Sequence, residues 1–510
     1  VSLGIARSIG LIGMRGVPIE IEVAIGGGLP RTILVGLPDA ALYEARDRCR
    51  AAVASSGLAW PSQLVTINLS PASLPKTGSH YDVGIVAAVL AAGGVVPSDL
   101  LPQTVFLGEL GLDGRLRAVR GLLPALLGAR DSGVARAVVP MSQVKEALLV
   151  EGLTVWGAGR LADVVEILHG RPLLDSPPGP SESDAGADEA EVEKDLADVA
   201  GQPDAKWALE VAAAGRHHVF FHGAPGAGKT LLAERLPGIL PELDVAEALE
   251  VTAMRSLAGL GVDELVRQPP LSSPHHTATV AALVGGGARM PLPGAISVAH
   301  RGVLFLDEAP EFSPKALEAL RVPLETGEVT LSRAAAQVTY PARFQLVLAA
   351  NPCPCGYATT PGHECRCSPL AIRRYAERLS GPILDRIDIR QQLRPLRRAY
   401  VTAERGERSA VVAERVRLAR ERQSWRLAGT PWTTNGEVPG SRLRRDLAPR
   451  EGIELLDDAV SRGRLSARGV DKVLRVAWTL CDLAGRDAPS RVDVRTALLM
   501  RLGHELSDAA

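Results

Sequence analysis

Residues 219–230 read VFFHGAPGAGKT, and LLAERL follows. A short apolar run leads into Gly223-x4-Gly228-Lys229-Thr230 and then into a helical pattern. Few local patterns restrict a fold so tightly, because this loop works only between a buried strand and a helix start. Glycines let backbone N–H groups turn inward around phosphates, and the helix start adds the positive end of its dipole. The loop Gly223, Ala224, Pro225, Gly226, Ala227, Gly228, Lys229 and Thr230 is therefore read as a nucleotide cradle. Lys229 is expected to reach the β- and γ-phosphates, and Thr230 to hold Mg²⁺.

A second run, GVLFLDEAPEF, occupies residues 302–312. Four apolar residues end in Asp307 and Glu308, so a buried strand would deliver two carboxylates at its C-terminal end. Asp307 is expected to orient Mg²⁺, directly or through water, and Glu308 to polarise the attacking water. A third strand, FQLVLAAN, ends in Asn351. Asn351 either positions the lytic water or merely opens the turn before Pro352, and the order of the elements favours the first.

A chain of 510 residues has room for about three domains. Its formal net charge of -1 excludes a uniformly basic nucleic-acid coat but not a local basic surface. Aromatics are only 4%, so base-stacking platforms would be scarce. No uncharged apolar run reaches the ~18 residues of a membrane span. The stretch VSLGIARSIGLIGMRGV reads as a first strand rather than a signal peptide, which makes the expected location cytoplasmic, with no membrane partner.

Residues 1–172 alternate short apolar strands with helices, and residues 173–198 follow as an acidic segment. The latter holds nine acidic residues and one Lys, so it reads as a flexible linker. An α/β block at 199–400 precedes a mostly helical, Arg-rich stretch at 401–510. Residues 366–450 hold 20 Arg, no Lys and nine acidic residues, a local excess of +11. That excess suits phosphate contact, and equally a helix face laced with Arg–Glu pairs.

Four of the six cysteines fall in NPCPCGYATTPGHECRC. Cys353, Cys355, Cys365 and Cys367 offer four thiolates to a structural Zn²⁺, with His363 as a substitute ligand. Reduced free thiols are the alternative, and a reducing compartment disfavours disulfides. Cys49 and Cys481 lie in helical stretches and read as packing residues.

The stretches PHHTATVAALVGGG, GAISVAHRGVLFLDEAPEF, YPARFQLVLAANPCPCG and LSGPILDRIDI resemble the magnesium-chelatase-like AAA+ ATPases, and the resemblance covers essentially the whole chain. The resemblance implies ATP and Mg²⁺ as cofactors, an AAA+ core, a C-terminal helical lid and a homo-hexamer. It makes Arg386 an arginine finger acting in the neighbouring subunit and Arg468 the sensor-2 arginine of the lid, with Arg475 a weaker candidate. The 325–340 hairpin would point into a ring pore, where Arg333 touches a DNA phosphate, and Pro274–Gly287 would form a second pore loop.

Residues 1–172 resemble the ribosomal-S5-like fold of the Lon protease domain. His80 occupies the nucleophile slot, with Ser79 one position early, and Leu123 occupies the Lys slot. A Ser–Lys dyad is therefore out of register, and the domain reads as non-proteolytic. The competence-protein branch of the family implies a DNA helicase or translocase. Its members promote branch migration in homologous recombination and natural transformation, with a recombinase as partner. A protein remodeller of the chelatase type is the alternative.

Overall fold

β1 (Ser2–Ile12) and β2 (Arg15–Gly26) pair antiparallel along their full length. Ile19, Ile21, Val23 and Ile25 alternate with Glu20, Glu22 and Ala24, and that period of two turns all four inward. β3 (Arg31–Val35), β4 (Leu64–Ser70), β5 (Thr104–Phe106), β8 (Arg136–Pro140) and β9 (Thr154–Ala158) complete a seven-stranded sheet of order β3-β4-β2-β1-β5-β8-β9. A two-residue hairpin, β6 (Glu109–Leu110) with β7 (Leu116–Arg117), sits beside it. The helix Asp82–Ala92 is buried at every residue, as the apolar run from Val83 requires, and Asp82 is paired with Arg48 at 3.0 Å. The computed structural model describes residues 2–36, 40–74, 76, 78–171, 194–287, 291–333, 337–358, 363–394 and 406–503.

The second domain is built on a parallel sheet of order β11-β14-β17-β10-β18. Its strands are β10 (Val219–Gly223), β11 (Leu271–Ser272), β14 (Val303–Leu306), β17 (Gln345–Ala350) and β18 (Ile389–Leu393). Every residue of β14 and β17 is buried, as expected of strands covered on both faces. Such sheets expose their working loops at the strands' carboxyl ends. Gly223, Leu306 and Ala350 all end there, so the three motifs converge on one edge. Two small hairpins hang from this sheet. One is β12 (Gly285–Gly286) with β13 (Leu292–Pro293), and the other β15 (Glu328–Ser332) with β16 (Gln337–Pro341).

The C-terminal helices include Ser409–Arg426, Ala467–Leu483 and Arg491–Leu502. They share one apolar cluster with β10 and the helix Pro203–Gly215. A buried polar joint also crosses to them. Lys472 Nζ lies 2.9 Å from Asp388 Oδ1, and Asp388 Oδ2 accepts from the His218 amide at 2.8 Å. The Lys472 contact is an ion pair rather than an aligned hydrogen bond. Burial pushes the Asp388 carboxyl up, but Lys472, His217 and His218 outweigh it and hold the group well below the usual carboxylate range. Arg501 donates to the carbonyls of Leu384 and Ile387 in the same segment.

The acidic linker read at 173–198 needs correction at its end. Residues 172–193 lie outside the described residues. Residues 194–198 pack onto the second domain, because Leu196 is apolar and Asp195 caps the turn. Leu196 is buried. The Asp195 carboxylate accepts from the Ala197 and Ser409 amides at 2.8 and 2.9 Å.

The two large domains touch directly. The helix Leu122–Asp131 packs on Val245–Ala258, with Gly121 N donating to Ser256 O at 3.0 Å. The Ser256 hydroxyl reaches Glu146 Oε1 at 2.5 Å. At the β1–β2 turn, Gly13 has φ +62°, and a Cβ there would stand 2.8 Å from Val338 Cγ1 on β16.

Candidate nucleotide site

Gly226 and Gly228 adopt φ of +74° and +94°, left-handed values that a side chain would resist, and this turns the loop's amides inward. The helix Lys229–Arg235 begins at once behind them. Lys229 Nζ donates to Gly223 O at 2.7 Å, Ala224 O at 2.9 Å and Asn351 Oδ1 at 2.9 Å. Burial lowers the Lys229 ammonium, against the pull of Asp307 and Glu308. Thr230 Oγ1 donates to Asp307 Oδ2 at 2.7 Å. The hydroxyl and carboxylate thus stand together as a pair of oxygen ligands suited to Mg²⁺.

Glu308 follows with φ +49°, held by its amide donating to Asp307 Oδ1 at 2.8 Å. A non-glycine residue in this region stores strain, of a kind often found at functional sites. Its carboxylate is half-exposed and 3.5 Å from His276 Nδ1. The motifs at 223–230, 307–308 and 351 therefore meet in one cluster. It can hold a polyphosphate, a divalent ion and a water next to a carboxylate base.

The four cysteines gather as expected, with all four Sγ atoms within 4.8 Å of one another. Cys353–Cys355, Cys353–Cys365 and Cys355–Cys365 are 3.3, 3.7 and 3.6 Å apart. Tetrahedral Zn–S bonds of about 2.3 Å put sulfurs about 3.8 Å apart, so the donor set fits zinc. All six cysteines are unpaired by disulfides, and Cys49 and Cys481 are buried. The cysteine loop also touches the phosphate loop. A Cβ on Gly356, whose φ is +86°, would lie 2.5 Å from Pro225 Cγ.

Arg386 and Arg468 stand apart from this cluster. Arg386 donates to Pro382 O at 2.6 Å and to Glu325 Oε1 at 2.5 Å. Arg468 is exposed and lies 3.8 Å from the same Glu325 oxygen. Neither has a hydrogen bond or ion pair to Lys229, Thr230, Asp307, Glu308 or Asn351 among the described residues. Arg386 is thus paired locally, though with Glu325 rather than with its sequence neighbours Asp385 or Asp388. Arg475 donates to Val438 O within the lid.

Arg333 is exposed at the outer end of β15, where its Nε donates to Gly287 O at 3.3 Å. Residues 334–336 and 288–290 lie outside the described residues. Three contacts escaped sequence reasoning: Glu325 with both arginines, Gly356 on Pro225, and His276 on Glu308. Only the last left a visible trace, as PHH close after the segment that pairs with β14.

Residues 195–401 match the family described as magnesium chelatase, subunit ChlI. Residues 406–501 match its C-terminal part, and residues 21–143 match a further description, subunit ChlI of Mg-chelatase. An uncharacterized protein of Mycobacterium tuberculosis is 51% identical over 505 residues, covering 98% of this chain and 99% of its own. The competence protein ComM of Haemophilus influenzae is 40% identical over 516 residues, 99% of this chain and 100% of its own. The chain belongs to the magnesium-chelatase-like AAA+ family. Within that family it is an AAA+ ATPase of the ComM type, and the family implies ATP and Mg²⁺. Lon protease 2 of Bacillus subtilis is 32% identical over 154 residues, 28% of this chain and 27% of its own, in keeping with the Lon-like N-terminal region. No helix among the described residues is long and apolar enough to cross a membrane.

Proposed function

We propose that the chain is one subunit of a cytoplasmic homo-hexameric, ATP-driven DNA translocase. It promotes branch migration in homologous recombination and natural transformation, alongside a recombinase. The observation that carries the reading is the separation of Arg386 and Arg468 from the nucleotide cluster of their own subunit. A neighbour in a ring that supplies the arginine stabilising the γ-phosphate in the transition state would account for that separation.

Each residue has one task in that ring. Lys229 and the loop 223–230 bind the phosphates. Thr230 and Asp307 hold Mg²⁺, while Glu308 polarises the water and Asn351 places it. Arg386 enters the next subunit's site, and Arg468 acts as the sensor-2 arginine of the lid. Arg333 grips a DNA phosphate from the pore. The four cysteines hold a structural Zn²⁺ that braces Pro225 through Gly356. Residues 1–172 serve assembly rather than proteolysis.

Steady-state ATP hydrolysis, with and without single-stranded and forked DNA, tests this reading, with Lys229→Ala as the control for contaminating ATPase. Several-fold stimulation by DNA is expected. Robust turnover that is indifferent to DNA would refute the motor and favour a remodeller acting on a protein.

A further inference from the structure

An arginine that serves a neighbouring subunit has to present its guanidinium at the surface of its own. Arg386 does not. It is 9% exposed, its Nη1 donates to Pro382 O at 2.6 Å, and its Nη2 donates to Glu325 Oε1. Its buried Nε has no hydrogen-bond partner among the described residues. An unpaired buried donor is costly, so this seat is held by the contacts at the other end of the guanidinium.

The backbone beneath it is fixed. Asp385 Oδ1 accepts from Ser466 Oγ at 3.2 Å and from Arg501 Nη2 at 3.1 Å, and Asp388 is held by Lys472 and the His218 amide. What is left to change is the direction of one long side chain, and Glu325 is the carboxylate that sets it. The same Glu325 oxygen lies 3.8 Å from Arg468 Nη2. One carboxylate thus faces two arginines that were assigned above to phosphate oxygens, and it stands in for that anion. Glu325 can also be reached from outside. Its side chain is 52% exposed, on the helix Arg321–Thr326. Val322, three residues earlier and so on the same helix face, is 63% exposed, which fits a surface covered by a second copy of the chain.

We propose that Glu325 sheathes Arg386. It holds the guanidinium within its own subunit until the γ-phosphate of ATP in the adjoining subunit, a stronger and bidentate partner, draws it across. ADP lacks that phosphate and leaves the latch closed, so the finger is committed only at a loaded site. Glu325 is a positioning residue, since it acts through Arg386 and touches neither nucleotide nor metal. The latch rests on the ring reading, in which Arg386 acts in the neighbouring subunit.

Subunit mixing, with full-length chains and no DNA, tests it. Arg386→Ala subunits keep the nucleotide loop but lack the finger, whereas Lys229→Ala subunits donate fingers and do not hydrolyse. Turnover in an equimolar mixture therefore arises where a donor's Arg386 meets an acceptor's ATP. Lys229→Ala/Glu325→Gln donors should raise that kcat about two- to five-fold, the scale of one exposed ion pair, with KM for ATP unchanged because the acceptor's loop is untouched. Lys229→Ala/Glu328→Gln donors should match Lys229→Ala donors, since Glu328 is exposed and has no ion pair among the described residues. Gel filtration checks that all donors enter the oligomer equally. A mixture that turns over with Lys229→Ala donors, but no faster with the Glu325→Gln donors, overturns the latch alone. No turnover with either donor overturns the finger across subunits and the latch with it.

Discussion

Replacing Lys472 with Met removes one partner of the buried joint between the ATPase sheet and the lid. Asp388 is then left with the His218 amide as its hydrogen-bond partner. Its side chain is 3% exposed and that of Lys472 15%, so water cannot easily take over. Stranding one member of a buried pair costs about 3–5 kcal/mol. For a unit of this size that should lower the midpoint of thermal unfolding by about 5–15 °C, read by scanning fluorimetry. Acid should narrow the gap. The folded value of Asp388 lies below its unfolded value, near 3.9, so the stabilisation it provides is complete above about pH 4 and fades as pH falls through the folded value. Without Lys472 the carboxyl titrates higher and neutralises itself sooner. Adding Asp388→Asn to Lys472→Met should restore at least half of the loss, because no buried charge remains unpaired. A Lys472→Met midpoint within 1 °C of the parent, a gap equal at pH 7 and pH 4, or a double variant no better than the single would refute the reasoning.

Arg386→Ala should cut kcat by about 10³–10⁵ and leave ATP binding nearly intact. Mixed with inactive Lys229→Ala subunits, it should regain measurable hydrolysis, since some shared sites then hold an intact finger beside an intact loop. No recovery at any ratio argues against action across subunits. Gly356→Ala forces a side chain into Pro225 at a left-handed φ, so KM for ATP should rise while the oligomer persists; an unchanged KM would show that the cysteine loop does not brace the phosphate loop. Elemental analysis should find about one zinc per chain, and stripping it with a strong chelator before assay in excess Mg²⁺ should raise the KM for ATP in the same way. Arg333→Ala should abolish DNA-stimulated turnover and spare basal hydrolysis, and unchanged stimulation would remove Arg333 from the DNA path.

The nucleotide cluster was legible because each of its parts is local. Gly223 to Thr230, Asp307 with Glu308, and Asn351 each sit at the end of an apolar run, and parallel strands bring such ends to one edge without further instruction. The N-terminal strands were equally plain, since Ile19, Ile21 and Val23 alternate with Glu20 and Glu22. Glu325 was not legible. It belongs to a short helix before β15, and its meeting with Arg386 and Arg468 depends on how two hairpins, a strand and the lid fold together. The packed end of the linker was missed for a related reason. Composition averages over 173–198 hid one apolar side chain, Leu196, that finds a pocket. The Arg excess of 366–450 resolved into ion pairs in several places, Arg417 with Glu414 and Glu421 among them, and Arg415 with Glu210 and Glu407.

The turn between β1 and β2 sets a mechanical limit on the hairpin that carries Arg333. Gly13 presses on Val338 so closely that not even a methyl group fits between them, and Leu11, Ile12 and Met14 pack against the same cluster. The root of the hairpin is thereby clamped to the N-terminal sheet. If this hairpin moves, it either bends outboard of Val338, or carries the first domain with it. In the second case the contact at Gly13 couples the hairpin to the whole N-terminal sheet, and a bulky residue at position 13 would act as a wedge between them.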